Sequence, residues 1–128
     1  MGNGTSIGRV RGLGSSHEGA HHWLLQRYTA IGNLLLTSWL ITSLLLLPNY
    51  DYATLKDWLS GSIPATALIL LIVSTFWHAR LGLQVLTEDY VHDAGTKFGV
   101  LALLNLVAMG CGTLAVVCVL KIALGGAL

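Results

Sequence analysis

Residues 58–79 read WLSGSIPATALILLIVSTFWHA, a run of 22 without Asp, Glu, Lys or Arg. A helix needs about 20 mostly apolar residues to cross a hydrocarbon core about 30 Å thick. Two more uncharged runs flank this one, 28–50 and 98–120, each of 23 residues. Lipid offers no hydrogen bonds to the backbone, so such runs cross as helices. The pattern predicts an all-α membrane protein with three transmembrane helices at about 22–47, 63–87 and 97–120, after a polar Gly/Ser-rich segment, 1–20. Composition agrees: of 128 residues 54% are apolar and 10% charged, with mean hydropathy +0.69. Soluble domains carry roughly 25% charged residues. Too little chain remains outside the spans for a soluble catalytic domain with its own core. A net charge of +1 excludes a nucleic-acid binder.

Ser15 and Glu18 have capping-box spacing, so the first helix is expected to start near Ser16 and to stop at Pro48. Segment 49–62 reads as a polar loop with the interfacial aromatics Tyr50, Tyr52 and Trp58. Pro64 is tolerated in the first turn of the second helix, expected from about Ile63 to Leu86. A polar stretch, Thr87–Gly95, leads to the third. With the N-terminus inside, Arg9, Arg11, Arg27, Arg80 and Lys97 share one side and Lys56 and Lys121 the other. That asymmetry predicts an N-terminus in the cytoplasm (or matrix) and a C-terminus opposite. With no Arg-rich transit peptide evident, a bacterial inner (cytoplasmic) membrane is expected over a mitochondrial one. Ala108, Gly112 and Ala115 allow close helix approach, either within the chain or to a partner. Cys111 and Cys118 lie seven apart on one face and read as packing residues.

Polarity inside a span is costly and needs a reason. His78 is the one histidine in a predicted span, and Ser74, Gly82 and Val85 share its helix face. A histidine with a glycine one turn on leaves room for a flat ligand, which suits axial haem ligation. The alternative is a histidine bonded to a neighbouring helix. Arg27, with His21 and His22 two turns earlier, can hold anionic groups such as haem propionates, or else Arg27 snorkels to the membrane surface. Glu88-Asp89-Tyr90 closes the second helix on the Arg27 side. There a tyrosine hydroxyl can bond a quinone carbonyl and a carboxylate can relay protons; the alternative is a solvated turn with an interfacial tyrosine. His17-Glu18-Gly19-Ala20-His21 matches H-E-x-x-H, but it lies in a Gly-rich entry segment without a third ligand and is not read as a zinc protease site.

Together, the stretches from His21 to Ala30 and from His78 to Gln84, followed by Glu88-Asp89-Tyr90-Val91, resemble the D-type hydrophobic membrane anchors of succinate dehydrogenase, respiratory complex II. The most specific part is the histidine, the glycine four on, and the Asp-Tyr pair eleven and twelve on. The resemblance implies a single membrane-anchor domain over 1–128 that docks the flavoprotein and iron–sulfur subunits to the membrane. It implies a haem b shared with a sister anchor (cytochrome b) subunit, each chain donating one histidine, here His78. Arg27 and His21 then face the haem propionates, Tyr90 bonds the ubiquinone carbonyl, and Asp89 stands in the proton path. The chain is then an enzyme subunit with no activity alone. A quinol:fumarate reductase anchor, or a structural three-helix adaptor without cofactor, are the alternatives.

Overall fold

The computed structural model describes residues 19–125. It contains four helices in that range: α1 (Gly19–Leu45), α2 (Tyr52–Ser60), α3 (Ser62–Tyr90) and α4 (Ala94–Ala123). Of these α1, α3 and α4 are long and apolar enough to cross a membrane. The expected capping box at Ser15 and Glu18, and His17, lie outside the described residues.

The central helix is α3, which packs against both α1 and α4, whereas α1 and α4 do not meet. The frame is therefore a single layer rather than a closed bundle. Among the described residues only Leu59, Leu81, Val119 and Thr87 are buried. Leucines such as Leu34, Leu45 and Leu106 face outward, where lipid or other subunits cover them at no cost in exposed apolar area.

Segment 49–62 is not a loop throughout. Asp51 caps α2, its carboxylate accepting from the Thr54 N–H at 2.8 Å, while Asn49 Oδ1 accepts from the Thr54 hydroxyl at 2.6 Å. Hydrogen bonding from Thr54, its side chain first and its backbone N–H second, holds the Asp51 carboxyl below its ordinary pKa. Leu55, Trp58 and Leu59 recur at helical spacing and turn inward, while Lys56 and Asp57 stay exposed. Trp58 stacks on Trp39 of α1 with ring centroids 6.2 Å apart, and its indole N–H donates to Ser43 Oγ at 2.9 Å. Gly61 joins α2 directly to α3; a Cβ there would lie 3.2 Å from Pro64 Cδ and from the Trp58 carbonyl. Pro64 falls in the first turn of α3, where its missing N–H has no intrahelical partner to lose.

At the other end α3 continues past Leu86 to Tyr90, so Glu88, Asp89 and Tyr90 form its last turn instead of a following loop. Val91-His92-Asp93 makes the whole turn, because Asp93 already caps α4 by accepting from the Thr96 N–H at 2.7 Å. That backbone bond is the main cause of a lowered Asp93 pKa. Lys97 Nζ donates to the Glu88 carbonyl at 3.2 Å, placing a cation on the negative end of the α3 dipole. Between α3 and α4 a Cβ on Gly112 would meet Phe76 Cγ at 3.4 Å, so this glycine serves packing within the chain. Cys111 and Cys118 are free and exposed on α4.

Candidate functional site

The α1/α3 seam is polar for a membrane interface. Ser74 Oγ donates to the Thr29 carbonyl at 3.4 Å, and Thr75 Oγ1 donates to Asn33 Oδ1 at 3.4 Å. A Cβ on Gly32 would lie 3.6 Å from Ser74 Oγ, so small residues set the approach of the two helices. His78 is half-buried in this seam, with Nδ1 3.0 Å from Thr29 Oγ1. One turn on, a Cβ on Gly82 would meet nothing nearer than the Gln26 amide nitrogen at 3.9 Å.

Because α3 runs unbroken to Tyr90, helical register applies to the whole stretch. At about 100° per residue, Asp89 falls within roughly 20° of His78, about 16 Å further along the axis. Asp89 and Tyr90 are both exposed, Tyr90 by 76%. The tyrosine hydroxyl is therefore open to a ligand or partner at the end of α3.

The cations of α1 do not converge on His78 within this chain. Arg27 projects roughly 160° around α1 from Thr29. It is exposed, and its guanidinium lies over the Trp23 ring, 5.3 Å from the centroid. His21 is exposed too. Its neighbour His22 is the half-buried one of the pair, with Nε2 shielded and without a hydrogen-bond partner among the described residues.

Arg80, which the sequence offered only as a topology signal, is a structural element of the α3/α4 interface. Its Nε donates to Asn105 Oδ1, and its guanidinium lies 5.3 Å from the Trp77 ring centroid. Asn105 in turn donates from Nδ2 to the Leu101 carbonyl at 2.8 Å, which turns its oxygen toward Arg80. The available sequence signal was a lone charge inside α3 and a lone amide inside the apolar run of α4. Thr29, Asn33 and Asn105 were all passed over in the sequence because no local pattern marks them.

The clefts beside Arg80 hold about 160, 140 and 120 Å³, below the roughly 300 Å³ at which ligand pockets begin. A depression of about 570 Å³ lies at the opposite end, lined by Leu47, Pro48, Ala53, Thr54, Asp57 and Trp58, away from His78 and Tyr90.

Residues 1–123 match the succinate dehydrogenase/fumarate reductase transmembrane subunit family. The chain belongs to this family. As a member it is a multi-pass membrane protein and a membrane-anchor subunit of the succinate dehydrogenase class. The succinate dehydrogenase hydrophobic membrane anchor subunit of Rickettsia bellii is 38% identical over 85 residues, covering 66% of this chain and 68% of that protein. The corresponding subunit of Rickettsia conorii is 38% identical over 86 residues, with the same coverage, 66% and 68%. The succinate dehydrogenase membrane anchor subunit of Reclinomonas americana is 28% identical over 103 residues, 72% of this chain and 79% of that protein. No solved structure matches the chain.

Proposed function

We propose that this chain is the D-type anchor of succinate:ubiquinone oxidoreductase, with its N-terminus on the cytoplasmic (or matrix) side of a respiratory membrane, the bacterial inner membrane. Its partners are a sister anchor, an iron–sulfur subunit and a flavoprotein subunit. The observation that carries this reading is the α3 stripe, with His78 held in the α1/α3 seam and the Asp89-Tyr90 pair exposed at the helix end.

The residues fit a haem b. His78 has one ring nitrogen engaged by Thr29 and the other available, and Gly82 keeps the wall beside it low. Haem, when bound, supplies a one-electron store next to the quinone site. Among the described residues His78 is the only histidine well inside a span, so this chain would supply one histidine to the haem and any second would come from the sister anchor. Arg27 and His21, both exposed on α1, would be the residues that hold the haem propionates. Arginine suits this because its planar fork of donors matches a carboxylate.

Quinone reduction takes two electrons, delivered from the iron–sulfur subunit, and two protons. The Tyr90 hydroxyl donates to the quinone carbonyl and so stabilises the charge that develops there on reduction. Asp89 lies one residue away at the aqueous edge and passes protons from the water phase. Arg80 stays in the α3/α4 interface and takes no part.

The test is a reduced-minus-oxidised visible spectrum of the complex purified in mild detergent, wild type against His78→Ala. The reading expects large flavin and iron–sulfur subunits to co-purify and a b-type band that weakens or changes character in the variant. A wild-type complex with those partners but no haem removes the ligand role of His78. Failure of the partners to co-purify overturns the anchor assignment.

A further inference from the structure

The Thr29 hydroxyl has three close polar neighbours. Its oxygen lies 2.9 Å from the Leu25 carbonyl, 3.0 Å from the Gln26 carbonyl and 3.0 Å from His78 Nδ1. A hydroxyl carries one proton and two lone pairs, and a carbonyl oxygen can only accept. In the back-bonded arrangement these distances allow, the Thr29 proton is used by the α1 carbonyls, one turn back along its own helix. Toward His78 the oxygen can then act only as an acceptor. For that contact to be a hydrogen bond, Nδ1 must carry the imidazole proton. A neutral imidazole with hydrogen on Nδ1 has its free lone pair on Nε2.

We propose that Thr29 is the positioning residue of the His78 site: it fixes the tautomer and ring plane of the imidazole so that Nε2 is presented as the iron-binding nitrogen. The proposal rests on the haem reading above and adds to it a residue on a different helix, 49 positions away in the chain. Two features make the arrangement specific. The Ser74 hydroxyl donates to the carbonyl of the same threonine, so Thr29 is gripped by α3 through both backbone and side chain. The hydroxyl oxygen also becomes a better acceptor when its own proton is held by a carbonyl, since chained hydrogen bonds polarise one another. A histidine that donates its second N–H to such an acceptor is a more basic ligand, which favours ferric over ferrous iron.

The experiment compares wild type, Thr29→Val and Thr29→Ser in the intact complex, purified with its partner subunits. Three quantities are read: haem per flavin, haem midpoint potential, and the low-spin ferric electron paramagnetic resonance spectrum. Valine keeps the shape of threonine and removes only the hydroxyl. It is expected to raise the midpoint potential, shift the low-spin signal, and weaken haem retention by about 10- to 100-fold, the usual range for losing a supporting hydrogen bond to a ligating histidine. Thr29→Ser keeps the oxygen and is expected to restore all three. If the valine variant does not assemble, Thr29→Ala gives the same comparison without a branched side chain.

Wild-type haem that depends on His78, together with an unchanged potential and spectrum in Thr29→Val, overturns the role of Thr29 and leaves the haem reading standing. A wild-type complex without haem overturns both. A spectrum altered equally by valine and serine assigns Thr29 to helix packing and also overturns the proposal.

Discussion

Replacing Asn105 by leucine tests whether the α3/α4 interface is organised around Arg80. Helix α3 has 29 residues, about 43 Å at 1.5 Å per residue. A hydrocarbon core of about 30 Å centred on it begins roughly 7 Å inside each end. Arg80 stands ten residues before Tyr90, so its Cα lies roughly 8 Å within the core. There the Asn105 carbonyl oxygen is the acceptor for Nε, and the Trp77 ring lies against the guanidinium. A hydrogen bond to a charged group contributes about 1.5–3 kcal/mol. The lower part of that range applies, because a half-buried arginine can still extend toward the interface.

Asn105→Leu is thus expected to cost about 1.5–2 kcal/mol, roughly 10- to 30-fold in the folded-to-unfolded ratio. The Arg80→Leu, Asn105→Leu double variant is expected to recover most of this, because apolar groups replacing both partners leave nothing unsatisfied. The assay is reversible unfolding in mixed micelles as the fraction of denaturing detergent rises, followed by helicity, for both single variants and the double variant. A double variant whose loss equals the sum of the two singles refutes the coupling. An Asn105→Leu variant indistinguishable from wild type refutes the importance of the bond itself.

Three further outcomes follow from the same geometry. Tyr90→Phe should slow quinone reduction by about 2- to 10-fold, the worth of one net hydrogen bond, while succinate oxidation with a soluble artificial acceptor stays intact; equal loss in both assays removes Tyr90 from the quinone site. Arg27→Leu should lower the haem midpoint potential, since removing a nearby cation favours the more positive ferric iron; an unchanged potential and occupancy reduces Arg27 to a topology signal. Asp93 has a depressed pKa in the folded chain, so its cap on α4 is complete above the ordinary carboxylate pKa and is lost as pH falls through the lower folded value. The protection factor of the Thr96 amide, its exchange rate compared with the intrinsic rate at the same pH, should therefore fall on acidification, and Asp93→Asn, which still accepts a hydrogen bond, should abolish that fall.

The three spans were legible in the sequence because hydrocarbon imposes a one-dimensional requirement, namely about 20 residues without charge. The face shared by Ser74, His78 and Gly82 was legible for a similar reason, since the helical period alone relates their directions, whereas Asp89 joins it only because α3 runs on to Tyr90. Helix α2 was not read as a helix. Its nine residues carry Lys56 and Asp57 and resemble a polar loop by composition, although Asp51 as a cap and Leu55, Trp58 and Leu59 at helical spacing were available signals. The sequence places the end of α3 at Leu86–Thr87 because Glu88-Asp89-Tyr90 looks like a turn; a helix leaving the bilayer continues in water when its last carbonyls are covered, here by Lys97 and by the Val91 N–H.

What hydropathy and periodicity determined is thus the number, approximate extent and facing of the membrane spans. Tertiary structure decided which residue on another helix meets each face: Thr29 against His78, Asn105 against Arg80, Phe76 against Gly112. Those pairings depend on the axial offset and rotation of one helix against its neighbour. Both are set by where small side chains let backbones approach and large ones hold them apart, a property of two surfaces together and of neither segment by itself.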